Sequence, residues 1–118
     1  MSFGVEYTSE FECWWNNLDC DEQDSVAVIV GLLEERGTGL GFPYSSGIKN
    51  SKFNHMRELR IQHAGDPYRI LYAFDPRRNA VLLIGGSKTG TDRWYEEFVP
   101  KADRIYSDHL RALDKEKK

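Results

Sequence analysis

Residues 56–88, MRELRIQHAGDPYRILYAFDPRRNAVLLIGGSK, decide the fold. Leu59 and Ile61 alternate with Glu58, Arg60 and Gln62; Tyr68, Ile70, Tyr72 and Phe74 alternate with Arg69, Leu71 and Ala73. A period of two is the pattern of a strand. Residues 80–84 are an unbroken apolar run, as expected for a strand covered on both faces. Between the three runs, Ala64-Gly65-Asp66-Pro67 and Asp75-Pro76-Arg77-Arg78-Asn79 carry the residues that tight turns need. The stretch therefore predicts three consecutive antiparallel strands.

The register of the first hairpin sets what its faces carry. A loop of residues 64–67 places His63 opposite Tyr68, Gln62 opposite Arg69 and Arg60 opposite Leu71. Side chains alternate along a strand, so Arg60, Gln62 and Arg69 share one face and Leu59, Ile61, Ile70 and Tyr72 the other. Arg69 thus points away from the expected core, and its removal should spare the fold. Two arginines on one sheet face form an anion site, most naturally for phosphate. A solvated face with ion pairs to Glu58 and Asp66 accounts for the same spacing equally well.

A length of 118 residues fits one domain spanning 1–118 with a single core. No apolar run approaches a membrane span, and no signal-peptide pattern opens the chain. Cys13 and Cys20 lack partner ligands nearby in sequence, so the expectation is a cytoplasmic protein with reduced thiols, no metal and no cofactor. The net charge is −3, but it is unevenly spread. Residues 1–48 hold one basic and nine acidic residues, whereas 49–93 hold nine basic and four acidic ones. Such a dipolar chain can present a polyanion-binding face, although it is less basic than a typical RNA binder.

On either side of the strands the pattern is helical, apart from a short strand at residues 3–7. Ser9-x-x-Glu12 reads as a capping box, followed by a stripe of Phe11, Trp14, Trp15 and Leu18. Asp19-x-x-Glu22 opens a second helix with a Val26, Ile29, Val30, Leu33 stripe, ending at Arg36 before Gly37. These two make an αα-hairpin whose stripes need the Leu59/Ile70 sheet face. Residues 37–47, GTGLGFPYSSG, lack the Lys-Ser/Thr of a phosphate loop and read as a connector. Residues 89–92 read as a turn into a last helix, with Thr91 or Asp92 as cap. Pro100 predicts a kink, or a turn at 92–97 before a helix from Pro100, and residues 114–118 should fray.

The ordered series ELR, PYRILYAFDP, VLLIGGSKTG and a final helix resembles the RelE/HigB superfamily of bacterial toxins, closest to its phage-derived HigB-like branch. The resemblance implies an α+β fold: a four-stranded, mainly antiparallel sheet in the order β-α-α-β-β-β-α. In that family the helices cover one sheet face and the other is a concave RNA groove. It implies a type II toxin that cleaves translated mRNA on the ribosome through 2′-hydroxyl attack, with a helix-turn-helix, HigA-like antitoxin as partner. Carried over by position, Arg69 matches the arginine on the scissile phosphate, Lys88 a functional basic position, and Arg93 and Tyr95 a catalytic arginine and tyrosine.

That chemistry needs cations for the phosphorane charge and groups that move protons. Arg60, Arg69 and Arg93 can supply charge. Lys88 or Tyr95 can move protons if the cations lower their pKa, and His55 could also serve, because an unperturbed imidazole changes charge near neutrality. Gln62 joins the groove. Trp94 is either a stacking platform for a base or a lid on the core, and His63 reads as a loop-edge residue. The alternatives are a non-catalytic protein of the same fold, a ParE-like gyrase inhibitor, or a phage accessory protein whose activity has decayed.

Overall fold

The computed structural model describes residues 3–88 and 93–116. In chain order the elements are β1 (Val5–Tyr7), α1 (Ser9–Asn16), α2 (Cys20–Arg36), a 3-10 turn (Gly37–Gly39), β2 (Ser45–Gly47), β3 (Arg57–His63), β4 (Asp66–Phe74), β5 (Ala80–Ser87) and α3 (Arg93–Glu116). The sheet has five strands in the order β1-β5-β4-β3-β2, one more than expected. The extra strand is Ser45–Gly47, which pairs with β3 along its free edge. Its polar, glycine-containing sequence carries no strand period. Only β1 runs parallel to its neighbour, β5; the other pairings are antiparallel.

The β3–β4 loop is two residues, not four. Ala64 and Gly65 both take positive φ, at 52° and 84°, the geometry of a tight hairpin. His63 therefore pairs with Asp66, and Arg60 lies directly opposite Arg69. The register has slipped by two residues relative to the four-residue loop. An even slip leaves every side chain on its expected face.

Both sheet faces are covered, which corrects the expectation of helices on one side. The αα-hairpin forms as expected and packs on Leu59, Ile61, Ile70 and Tyr72. Its first cap is Thr8 rather than Ser9: the Thr8 hydroxyl accepts from Phe11 N–H and donates to the Leu83 carbonyl. Asp19 and Glu22 form the expected capping box of α2. Helix α3 crosses the opposite face, where Leu71, Ala73, Val81 and Leu83 meet Trp94, Val99, Ala102, Ile105 and Tyr106. It runs unbroken through Pro100 and continues to Glu116, into the segment expected to fray. The turn and cap read at residues 89–92 lie outside the described residues.

Two consecutive glycines of β5 let tryptophans approach the sheet from opposite sides. A Cβ on Gly85 would meet Trp14 at 2.3 Å, and one on Gly86 would meet Trp94 Nε1 at 2.7 Å. A shift in the β4–β5 ladder between Leu71 and Tyr72 leaves Leu83 unpaired and fully buried beneath α3. Among the described residues no helix is long and apolar enough to cross a membrane.

Candidate functional site

At the end of the sheet nearest the start of α3, the face beneath this helix becomes polar. Arg60 and Arg69 are cross-strand neighbours, and like charges so placed repel. Glu58, on the same face of β3, resolves the conflict. Its carboxylate lies 3.2 Å from Arg60 NH1 and 3.5 Å from Arg69 Nε. It also accepts hydrogen bonds from Ser46 Oγ at 2.7 Å and Tyr95 Oη at 2.6 Å. Glu58 is only 4% exposed and Arg69 only 6%. Burying such charges is tolerable only when they are paired and hydrogen-bonded.

Arg69 is incompletely satisfied. Its NH1 donates to the Tyr68 carbonyl at 3.0 Å, while Nε makes its ion pair with Glu58 but no hydrogen bond of good geometry. A buried guanidinium with a spare donor is suited to an incoming phosphate oxygen. The burial also corrects the expectation that removing Arg69 would spare the fold.

Tyr95 reaches the centre from the first turn of α3. Burial, and then the hydrogen bond and charge of Glu58, hold its phenol above the ordinary tyrosine pKa of 10.0; Arg69 opposes them less strongly. The expected lowering by a cationic cluster is therefore reversed, because burial and the Glu58 carboxylate together outweigh Arg69. Lys88 Nζ lies 5.3 Å from the Tyr95 ring centroid. Arg93 is exposed where α3 begins.

The remaining expected residues lie elsewhere or act differently. His55 Nε2 sits 3.0 Å from Tyr106 Oη, eleven residues along α3 from Tyr95, or roughly 16 Å of helix. It is therefore not part of this centre. His63 Nδ1 lies 2.8 Å from Ser25 Oγ, on the αα-hairpin side. Gln62 is exposed near the hairpin end. Trp94 is the core lid rather than an exposed platform: it is buried over Gly86 and stacks on Phe98 with centroids 4.6 Å apart.

Three participants escaped the sequence reading of the groove. Glu58 entered it only as a surface ion-pair partner, and nothing singled out Ser46. The third is Phe42, 77% exposed, whose ring lies under the Arg60 guanidinium at 5.2 Å. A flat exposed aromatic beside a phosphate-type site was the available signal.

Chemically, the centre joins a carboxylate that can accept a proton, a phenol that can donate one, and buried and half-buried guanidinium groups. Among the described residues no group of three or more His, Cys, Asp or Glu could hold a metal ion.

Residues 13–107 match the family described as phage derived protein Gp49-like. Putative toxin HigB3 of Mycobacterium tuberculosis (strain ATCC 25618 / H37Rv) is 44% identical over 96 residues, covering 80% of this chain and 82% of HigB3. Putative toxin HigB2 of the same organism is 36% identical over 115 residues, covering 93% of this chain but 57% of HigB2. The chain thus spans little more than half of that longer relative. The fold is that of RelE toxins. The intact E. coli RelBE toxin–antitoxin complex contains a chain that superposes with a TM-score of 0.56 at 10% identity, covering 75% of this chain and all of that one. The M. tuberculosis RelBE2 complex gives 0.55 at 16%, with the same coverage.

Proposed function

The chain belongs to the phage-derived Gp49-like family, and from that membership and the Glu58 centre we propose that it is the toxin of a type II toxin–antitoxin system, an endoribonuclease acting on mRNA presented by the ribosome. The observation that carries the catalytic part is the contact of Tyr95, Glu58 and Arg69, in which one carboxylate is hydrogen-bonded to a phenol and ion-paired to a buried guanidinium.

In the proposed reaction a ribose 2′-oxygen attacks the adjacent phosphorus while the bond to the 5′-oxygen breaks. The products are a 2′,3′-cyclic phosphate and a 5′-hydroxyl. Glu58 takes the 2′ proton and Tyr95 gives its proton to the departing 5′-oxygen. The protonated Glu58 then returns a proton to the Tyr95 oxygen along their hydrogen bond, which resets both groups. Arg69 bonds a non-bridging phosphate oxygen through its spare Nε–H, with Arg60, Lys88 and Arg93 adding positive charge.

The resting contacts between Glu58 and its cations oppose this use, so substrate must be held firmly enough to separate them. Positioning is worth about 7–11 kcal/mol when complete, and a ribosome holding the mRNA in line can supply it. A helix-turn-helix, HigA-like antitoxin is the proposed partner.

The test is expression without antitoxin, with primer-extension mapping of mRNA ends. The wild type should arrest growth and cut translated mRNA. Tyr95→Phe and Arg69→Lys, checked for folding, should each lower cutting by about 10²–10³. Arrested replication with intact mRNA would move the assignment to a gyrase inhibitor. No effect on growth or mRNA would make it a phage protein of decayed activity.

A further inference from the structure

Beside Tyr95 lies a recess of about 660 Å3, between the loop following β2 and the first turns of α3. Its apolar lining is Ile48, Val99 and Pro100, and its polar lining includes Lys49, Asn50 and Glu96. Glu58 and Tyr95 form the wall shared with the reacting centre. Among the described residues, Glu96 makes no ion pair or side-chain hydrogen bond, and nor does Lys49.

The loop wall is held in place. Asp103 of α3, only 4% exposed, accepts hydrogen bonds from Ser51 Oγ and from Lys52 N–H, the latter at 2.9 Å. Ser51 Oγ in turn accepts from Phe53 N–H at 3.0 Å. Asn50 sits at φ 68°, the left-handed turn that carries the chain into this anchor. A buried carboxylate on the helix therefore ties down the segment that faces it across the recess.

We propose that this recess is a nucleobase subsite for the residue next to the scissile phosphate, and that Glu96 reads the Watson–Crick edge of the base with a preference for guanine. The proposal rests on the nuclease reading above and adds the specificity of that same site. Single-stranded RNA is read by splaying a base into a pocket, packing its faces and hydrogen-bonding its edge. Val99, Pro100 and Ile48 give apolar surface for the faces. Lys49 can meet the phosphate on the loop side.

The chemistry of the edge reader sets the choice of base. An ionised carboxylate only accepts hydrogen bonds. Guanine offers two adjacent donors, N1–H and the N2 amino group, to its two oxygens. Cytosine and adenine offer one amino group each. The single N–H of uracil is flanked by two carbonyl oxygens, which a carboxylate repels. The order expected is therefore guanine first and uracil last. A free anion is not the occupant, because Glu58 and Glu96 both line the space.

Two measurements test this. Sequencing of the 5′-hydroxyl ends left in cells by the wild type should show guanine enriched at one fixed position beside the cut. In Glu96→Gln, which replaces one of the two acceptor oxygens by an amino donor facing guanine's own donors, that enrichment relative to uracil should fall about tenfold or more. Separately, titration of the purified protein with guanosine and uridine 5′-monophosphates, followed by NMR, should shift Val99 and Ile48 signals at lower concentrations of the guanine nucleotide. That difference should vanish in Glu96→Gln. A wild type that cuts with no fixed guanine, or an unchanged preference in Glu96→Gln, would overturn the subsite while leaving the nuclease reading intact. A wild type that cuts nothing would overturn the nuclease reading, and the nucleotide titration alone would then decide the recess.

Discussion

A double-mutant cycle on Glu58 and Arg69 tests whether the centre is one electrostatic unit. Glu58→Gln keeps an oxygen for the Tyr95 hydrogen bond but removes the only carboxylate that contacts both Arg60 and Arg69 among the described residues. Two facing guanidinium groups, one of them 6% exposed, then lack compensation. Removing one partner of a buried pair costs about 3–5 kcal/mol. Arg69→Met leaves Glu58 with Arg60, Ser46 and Tyr95, so it should cost less, about 1–3 kcal/mol. In the double variant the unpaired Arg69 charge no longer exists. Its cost should fall below the sum of the single costs by about 1–3 kcal/mol, within the range for contacting residues.

Urea unfolding followed by tryptophan fluorescence gives the three differences. Against a usual total of about 5–15 kcal/mol, Glu58→Gln alone should move the midpoint visibly. Repeating the series at about 0.5 M salt should leave the coupling nearly unchanged, since buried pairs are poorly screened. Additivity to within about 0.5 kcal/mol, or a coupling that disappears in salt, would refute the idea of a buried, interdependent centre. The cycle also guards the functional test, because an activity loss in an Arg69 variant counts only where the fold is retained.

Phe42 lies exposed beneath Arg60, so Phe42→Ala should leave the unfolding free energy from urea curves within about 0.5 kcal/mol of the wild type. It should nonetheless weaken mRNA cutting about tenfold through loss of a base-stacking face; primer extension checks the second effect. Gly86→Ala puts a methyl where Trp94 packs and should destabilise by about 1–3 kcal/mol, read as a lower thermal midpoint. Asp75 is buried, which by itself raises its pKa, but hydrogen bonds from His109 and Arg77 outweigh burial and hold it below 3.8. Its ionised form therefore contributes stability above the unfolded value of 3.8, and that contribution is lost as pH falls through the lower folded pKa. The stability gap between wild type and Asp75→Asn should be about 1–3 kcal/mol at neutral pH and should shrink below about pH 4 in acid unfolding curves.

The strand faces were legible because a period of two survives an even slip. Arg60, Gln62 and Arg69 share a face whether the hairpin loop holds four residues or two. The actual loop was less legible, since Ala64 at positive φ is an unusual choice, and Asp66-Pro67 looked like turn residues although they begin β4. What covers the arginine face was written in the sequence but needed a different question. Leu71 and Ala73 lie on that face too, and an apolar patch beyond Arg69 demands a cover, which Val99, Ala102 and Ile105 of α3 supply. Once α3 crosses there, Tyr95 is brought down onto Glu58 and the carboxylate is buried. A glutamate between Arg57 and Leu59 in a strand reads as surface, because strand period gives its face but not its depth. The proposed base was therefore hidden for the same reason that the arginines were visible: the arginines follow from local alternation, whereas the carboxylate meets Tyr95 only through a contact between residues 37 apart in the chain.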